Sequence, residues 1–171
     1  MNTRRADTTV TPRLGRYRID ARRSTITFRG RHLFGLMPVR GSFAVGTGTI
    51  DVAEPLRDST IRVEIPTGSF HTGNEHRDRD VRSARFLDAD QHPVMAFAAD
   101  HIDSTAVTGT LTVRGVSRPV SLSIERAARS ADGFAVDATT RIDRTEFGIT
   151  AARGLAGRHL DVSLEITCVR T

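Results

Sequence analysis

The 171-residue sequence predicts an all-β domain, an antiparallel sandwich or a closed barrel. Three observations carry that reading. Apolar residues recur at every second position over most of the chain. The alternating runs come at spacings of roughly ten residues and are separated by turn-forming Gly, Pro, Asp and Asn. A single stretch, Thr72 to Asp88, abandons the period of two.

Residues 1–15 are polar, include Pro12 and Gly15, and read as a flexible N-terminal arm, which leaves 16–171 as one domain. "STITFRGRHLF" places Ile26, Phe28, Gly30, His32 and Phe34 on one strand face, with Thr25, Thr27, Arg29 and Arg31 on the other. "VRGSFAV" puts Val39, Gly41, Phe43 and Val45 in phase. Ile50 and Val52, then Ile61, Val63 and Ile65, continue the pattern. After the interruption it returns at "HPVMAFAA" with Met95 and Phe97. "VTGTLTVRGVSRPVSLSI" reads as a hairpin, with Val107, Leu111 and Val113 on one arm and Val120, Leu122 and Ile124 on the other. Gly115 to Ser117 are the expected turn. "GFAVDATTRI" and "HLDVSLEITCV" complete about nine or ten strands. The polar alternation excludes a parallel sheet buried on both faces.

"TGNEHRDRDVRSARFLD" holds four acids and four arginines beside His76. It predicts one short surface helix. Asn74 is the expected N-cap and Glu75 lies in the first turn, where the helix dipole favours an acid. Glu75–Arg79 and Asp78–Arg82 are acid-first pairs one turn apart. Val81, Ala84 and Leu87 form a narrow docking stripe. His76 and Asp78, two residues apart, do not face each other on a helix, which argues against a catalytic pair. Gly73 between His71 and His76 argues against a helical metal site.

Composition removes several function classes. No apolar run approaches the roughly 18 residues of a membrane span. "MNTRRADTTVTPRLGRY" lacks the apolar core of a secretory signal, so the expected location is cytoplasmic. The lone cysteine, Cys168, falls in phase with Leu164 and Ile166 and reads as a buried, inert thiol. The net charge is +5 and every basic side chain is arginine. Yet the arginines are dispersed, Trp is absent and Tyr17 is the only tyrosine, so no stacking platform for nucleic acid is expected. No nucleophile elbow, phosphate-binding loop or dinucleotide fingerprint occurs.

Four blocks resemble a known family. "YRIDARRSTITFRGRHLFGLMPVRGSF" carries Tyr17, Ile19, Asp20, Ser24, Ile26, Phe28, His32, Gly41 and Phe43. "TGNEHRDRDVRSARFLDADQHPVMAF" carries Thr72, Gly73, Asn74, Arg77, Asp78, Val81, Phe86, Asp88, Pro93 and Phe97. "GTLTVRGVSRPVSL" and "RIDRTEFGI" follow in order. Together they are similar to the YceI-like proteins, a polyisoprenoid-binding, lipocalin-like family. Arg23 and Asp80 stand where that family often has histidine.

The resemblance implies an extended eight-stranded antiparallel lipocalin-like β-barrel with one short helix near residues 75–86. It implies an apolar tunnel for a long isoprenoid lipid of the polyprenyl or quinone type, bound, carried or stored without catalysis, with no cofactor and no metal. A homodimer is compatible with it. The expected tunnel residues are Phe28, His32, Phe34, Phe43, Phe70, Phe86, Met95, Phe97, Leu111, Val113, Leu122, Phe147 and Ile149. Arg31 and His32 are candidates for meeting a head group. Two alternatives stand beside this reading: a barrel enzyme acting on a small apolar substrate with His32 as base, and a stress-related interaction protein with a closed core.

Overall fold

The computed structural model describes residues 9–32, 36–152 and 154–171, without the side chain of His32. It contains ten strands: β1 (Gly15–Ile19), β2 (Thr25–His32), β3 (Met37–Phe43), β4 (Thr47–Val52), β5 (Thr60–Pro66), β6 (Val94–Ile102), β7 (Ala106–Val113), β8 (Val116–Arg129), β9 (Gly133–Asp143) and β10 (His159–Arg170). The one α-helix, α1, spans Glu75–Arg82. Every strand pair is antiparallel, and the sheet closes on itself through β1 and β10.

Ten strands make an eight-stranded barrel because two staves are broken. β10 pairs with β2 along Asp161–Glu165 and with β1 along Cys168–Arg170, so β1 and β2 are halves of one stave. β3 on β2 and β4 on β1 form the next stave. The first break is satisfied locally. Asp20 accepts hydrogen bonds from Arg22 N (3.0 Å) and Arg23 Nε (2.8 Å), while Ser24 Oγ accepts from Thr167 N (3.0 Å). Pairing the polar groups of a strand break in this way lowers its penalty inside a wall.

The alternating pattern sets which side chains enter. Phe28, Met95, Phe97, Val107, Val113, Phe134 and Cys168 are buried, while the intervening residues face outward. Gly41 is required for closure beside β3. A Cβ there would lie 2.3 Å from Phe28 Cζ and 2.6 Å from the His71 carbonyl, at the bridge where Ser42 pairs with His71.

Two expectations change in detail. The β7–β8 hairpin turns at Arg114-Gly115 rather than Gly115–Ser117. Both residues have positive φ (52° and 73°), and Val113 pairs directly with Val116. That is a two-residue turn of the type whose twist matches the strands. The helix stops at Arg82 rather than continuing to 86, because Ser83 is extended and caps it by donating to Asp80 O. Asn74 is the N-cap, accepting from Arg77 N at 3.0 Å.

The helix charges act off the helix rather than along it. Asp78 is 3% exposed and accepts from Thr72 N (3.0 Å) and Thr72 Oγ1 (2.6 Å). Arg82 donates through Nε and Nη2 to the Phe70 carbonyl instead of forming the expected ion pair with Asp78. No ion pair joins Glu75 to Arg79 among the described residues. The barrel wall offered better partners than the neighbouring turn.

Candidate ligand-binding site

An interior cavity of about 310 Å³ runs the length of the barrel. Its wall is almost wholly apolar. Ile26, Phe28, Phe43, Ile50, Val63, Phe97, Leu122, Val136 and Leu164 contribute from nearly every stave, and the polar exceptions gather near the two ends. This size lies at the lower edge of small-molecule pockets, and a wall so largely apolar suits a chain of hydrocarbon.

Nine of the expected residues stand on this wall: Phe28, Phe43, Met95, Phe97, Leu111, Val113, Leu122, Phe147 and Ile149. Phe70 and Phe86 do not. Phe70 stacks on Phe28 at 5.3 Å between ring centroids and meets Phe43 edge-on at 5.5 Å, so it backs the wall. Phe86 is buried beneath two guanidiniums, those of Arg85 and Arg144, at 5.5 and 5.8 Å. Its neighbour Leu87 reaches the cavity instead. Phe34 and the His32 side chain lie outside the described residues, so no wall position is assigned to either.

The two ends are closed differently. At one end, residues 9–12 of the N-terminal arm cover the cavity beside Ser104. The arm is tied by Val10 N donating to Ala127 O (3.1 Å), Arg129 Nε to Thr11 O (2.7 Å) and Tyr17 Oη to Arg13 O (2.7 Å). At the other end, Arg144 is 8% exposed and lines the cavity. Its guanidinium donates to four carbonyls: Gly157 (2.8 Å), Ile149 (3.0 Å), Ala151 (2.8 Å) and Ala156 (3.0 Å). It thereby gathers Ile149, Ala151, Ala156 and Gly157 at the barrel mouth. Sequence reasoning placed Arg144 in a motif without a role. The signal was present in a basic residue directly following an alternating strand, next to Asp143.

The buried carboxylate of Asp78 and the partly buried one of Asp143 hold the same end. Burial alone would raise the Asp78 carboxyl, but hydrogen bonds from Thr72, with His71 and Arg82 nearby, keep it below the ordinary aspartate range. Asp143 follows the same logic, with Thr145 and Arg158 outweighing its burial. Cys168 is 1% exposed, and burial pushes its thiol up to about 12, as an inert core thiol requires.

The model of the YceI-like domain matches residues 17–168, nearly the whole barrel. The chain belongs to the YceI-like family. A UPF0312 protein of Pectobacterium atrosepticum is 32% identical over 158 residues, covering 85% of this chain and 80% of that protein. A UPF0312 protein of Pseudomonas aeruginosa is 30% identical over 169 residues, covering 90% and 86%. Among solved structures, Burkholderia cenocepacia BcnA superposes with a TM-score of 0.74 at 17% identity, over 86% of this chain and 98% of BcnA. A polyisoprenoid binding domain from Saccharophagus degradans, described as implicated in plant cell wall breakdown, gives 0.72 at 16% identity, over 93% and 100%. Both establish the fold of this YceI-like barrel. No helix among its described residues is long and apolar enough to cross a membrane.

Proposed function

We propose that this protein binds a long-chain isoprenoid lipid, of the polyprenyl or quinone type, in its barrel cavity and carries or stores it without chemical change. The observation that carries the proposal is the cavity itself: about 310 Å³, spanning the barrel, with polar groups confined to its ends. Each CH₂ moved from water to such a wall contributes about 0.8 kcal/mol, so the tail supplies the affinity. Ordering the chain offsets part of that gain. The polyisoprenoid binding domain of similar fold supports the same ligand class.

Among the described residues, the cavity wall holds no cluster of acids, bases and nucleophiles; its titratable members there are Asp103 and Arg144 near opposite ends and the inert Cys168. Binding rather than turnover is what such a wall supports. The test is native mass spectrometry of gently purified protein, followed by lipid extraction. A stoichiometric isoprenoid, recovered unchanged, is expected. An empty barrel that also refuses added isoprenoid would defeat the proposal.

A further inference from the structure

The barrel wall parts between β8 and β9. β9 and β10 pair without interruption from Asp143↔His159 to Gly133↔Val169. β8 and β9 pair only from Arg129↔Phe134 to Ser123↔Thr139, with a bulge between Ile124 and Arg126. Continuing that register would pair Leu122 with Thr140, Ser121 with Arg141, Val120 with Ile142 and Pro119 with Asp143. None of these pairs forms. Each strand stays bound on its other side, β8 to β7 up to Val116 and β9 to β10 up to Asp143.

The sequence explains the parting. Pro119 has no N–H to offer a neighbour and is tolerated in a strand only at an unpaired edge. The bulge bends β8 away. After Asp143 the chain leaves β9 in a 3-10 turn, Arg144–Phe147, and Phe147, 2% exposed, sits at the gap. One hydrogen bond spans it, from Thr140 Oγ1 to the Ser121 carbonyl at 2.9 Å.

A groove of about 600 Å³ occupies this gap on the outside. Val120, Thr140, Ile142, Phe147 and Val162 line both the groove and the interior cavity, so the two are separated by a single layer of side chains. The outer lining is different in kind. Ser121, Ser123, Thr139 and Ser163 present hydroxyls, and those of Ser123 and Ser163 make no hydrogen bond among the described residues. The charged lining is Arg141 against Asp143, Glu146 and Asp161, and Arg141 already faces Asp161 at 3.7 Å.

We infer that this parted seam is a side opening of the barrel, where the polar end of the bound lipid emerges, and that the groove receives an uncharged end bearing hydrogen-bond acceptors. A phosphate or diphosphate would lie among three carboxylates, and the arginines beside them are already engaged, Arg141 with Asp161 and Arg158 with Asp143, so the described lining offers it no unengaged cation. A carbonyl or hydroxyl end meets hydroxyl donors instead. The inference rests on the lipid-binding reading and narrows it from polyprenyl phosphates to quinones and free polyprenols.

The chain has no tryptophan, so a single introduced one reports locally. The experiment compares Glu146→Trp, an exposed position on the groove rim that leaves the serine and threonine hydroxyls in place, with Thr11→Trp at the arm end. Each is titrated with a decyl-substituted benzoquinone, whose head quenches indole at short range, while binding stoichiometry is measured separately by native mass spectrometry. At one quinone per chain, quenching by at least half is expected at Glu146→Trp, with little at Thr11→Trp. In the wild-type chain, geranylgeraniol should displace the quinone at least ten-fold more effectively than geranylgeranyl diphosphate. Bound quinone that quenches Thr11→Trp instead, or a preference for the diphosphate, would overturn the side opening while leaving lipid binding intact. Absence of any stoichiometric binding would overturn both.

Discussion

The two ends of the barrel close by opposite means. The arm end is covered by Thr9, Val10, Thr11 and Pro12, all uncharged, held by a few hydrogen bonds at the surface. The far end is built on buried charge: Arg144 gathers four carbonyls, and Asp78 gathers the amide and hydroxyl of Thr72. Removing one partner from a buried polar network costs far more than removing an exposed contact. The far end is therefore the rigid end, and it adjoins the parted seam with its polar groove. At the arm end the Asp103 carboxylate is already held by Thr105 and Ala106, which leaves that end to the tip of an apolar tail.

The largest effect should come from removing the guanidinium. Arg144→Met leaves four carbonyls without their donor and should lower stability by roughly 3 kcal/mol, read by denaturant unfolding. A loss below about 0.5 kcal/mol, the range of ordinary surface changes, would erase the contrast between the ends. Asp78→Ala should cost roughly 2 kcal/mol, with lipid affinity changed less than stability. The opposite ranking would place head-group contacts at α1.

Acid should weaken the far end. The folded Asp78 and Asp143 carboxyls lie below their ordinary values. Their contribution is therefore fully present above the unfolded value of about 3.9 and is lost as pH falls through the folded values. Unfolding midpoints should drop below roughly pH 4, and Asp78→Asn should flatten that drop. An unchanged acid profile in the variant would remove Asp78 from the account.

The smallest thermodynamic effect should be at the arm. Arg129→Ala removes the bond to Thr11 O from an exposed side chain and should leave stability within about 0.5 kcal/mol, while speeding lipid exchange. Slower or unchanged exchange would show that the arm is not what covers the tail.

How far the sequence could be read differs between wall and ends. The period of two is imposed by strand geometry, so Phe28, Met95, Phe97, Leu111 and Val113 were legible as inward-facing before any fold was known. Which inward residues enclose space and which merely back the wall was not legible. Phe70 and Phe86 follow the same chemistry as Phe28, yet one stacks behind it and the other lies under Arg144. Void depends on how staves meet, which is non-local. The broken staves hid in the same way, since Asp20 and Ser24 satisfy a break with partners as distant as Thr167. For α1, the cap was local and was read from Asn74, but Asp78 and Arg82 chose partners on the wall that helical spacing cannot reveal. Pro119 within an alternating run was the one local sign of the parted seam.

The most direct test fills the cavity. Ala138 is buried on the wall, and Ala138→Phe projects a ring into the space without disturbing either end. Wild-type protein and variant would be purified in parallel, incubated with excess isoprenoid quinone and weighed by native mass spectrometry. One lipid per wild-type chain, and at least a ten-fold lower occupancy in a variant that remains folded, is the expected result. Equal occupancy in the two would place the lipid outside the barrel and contradict the account.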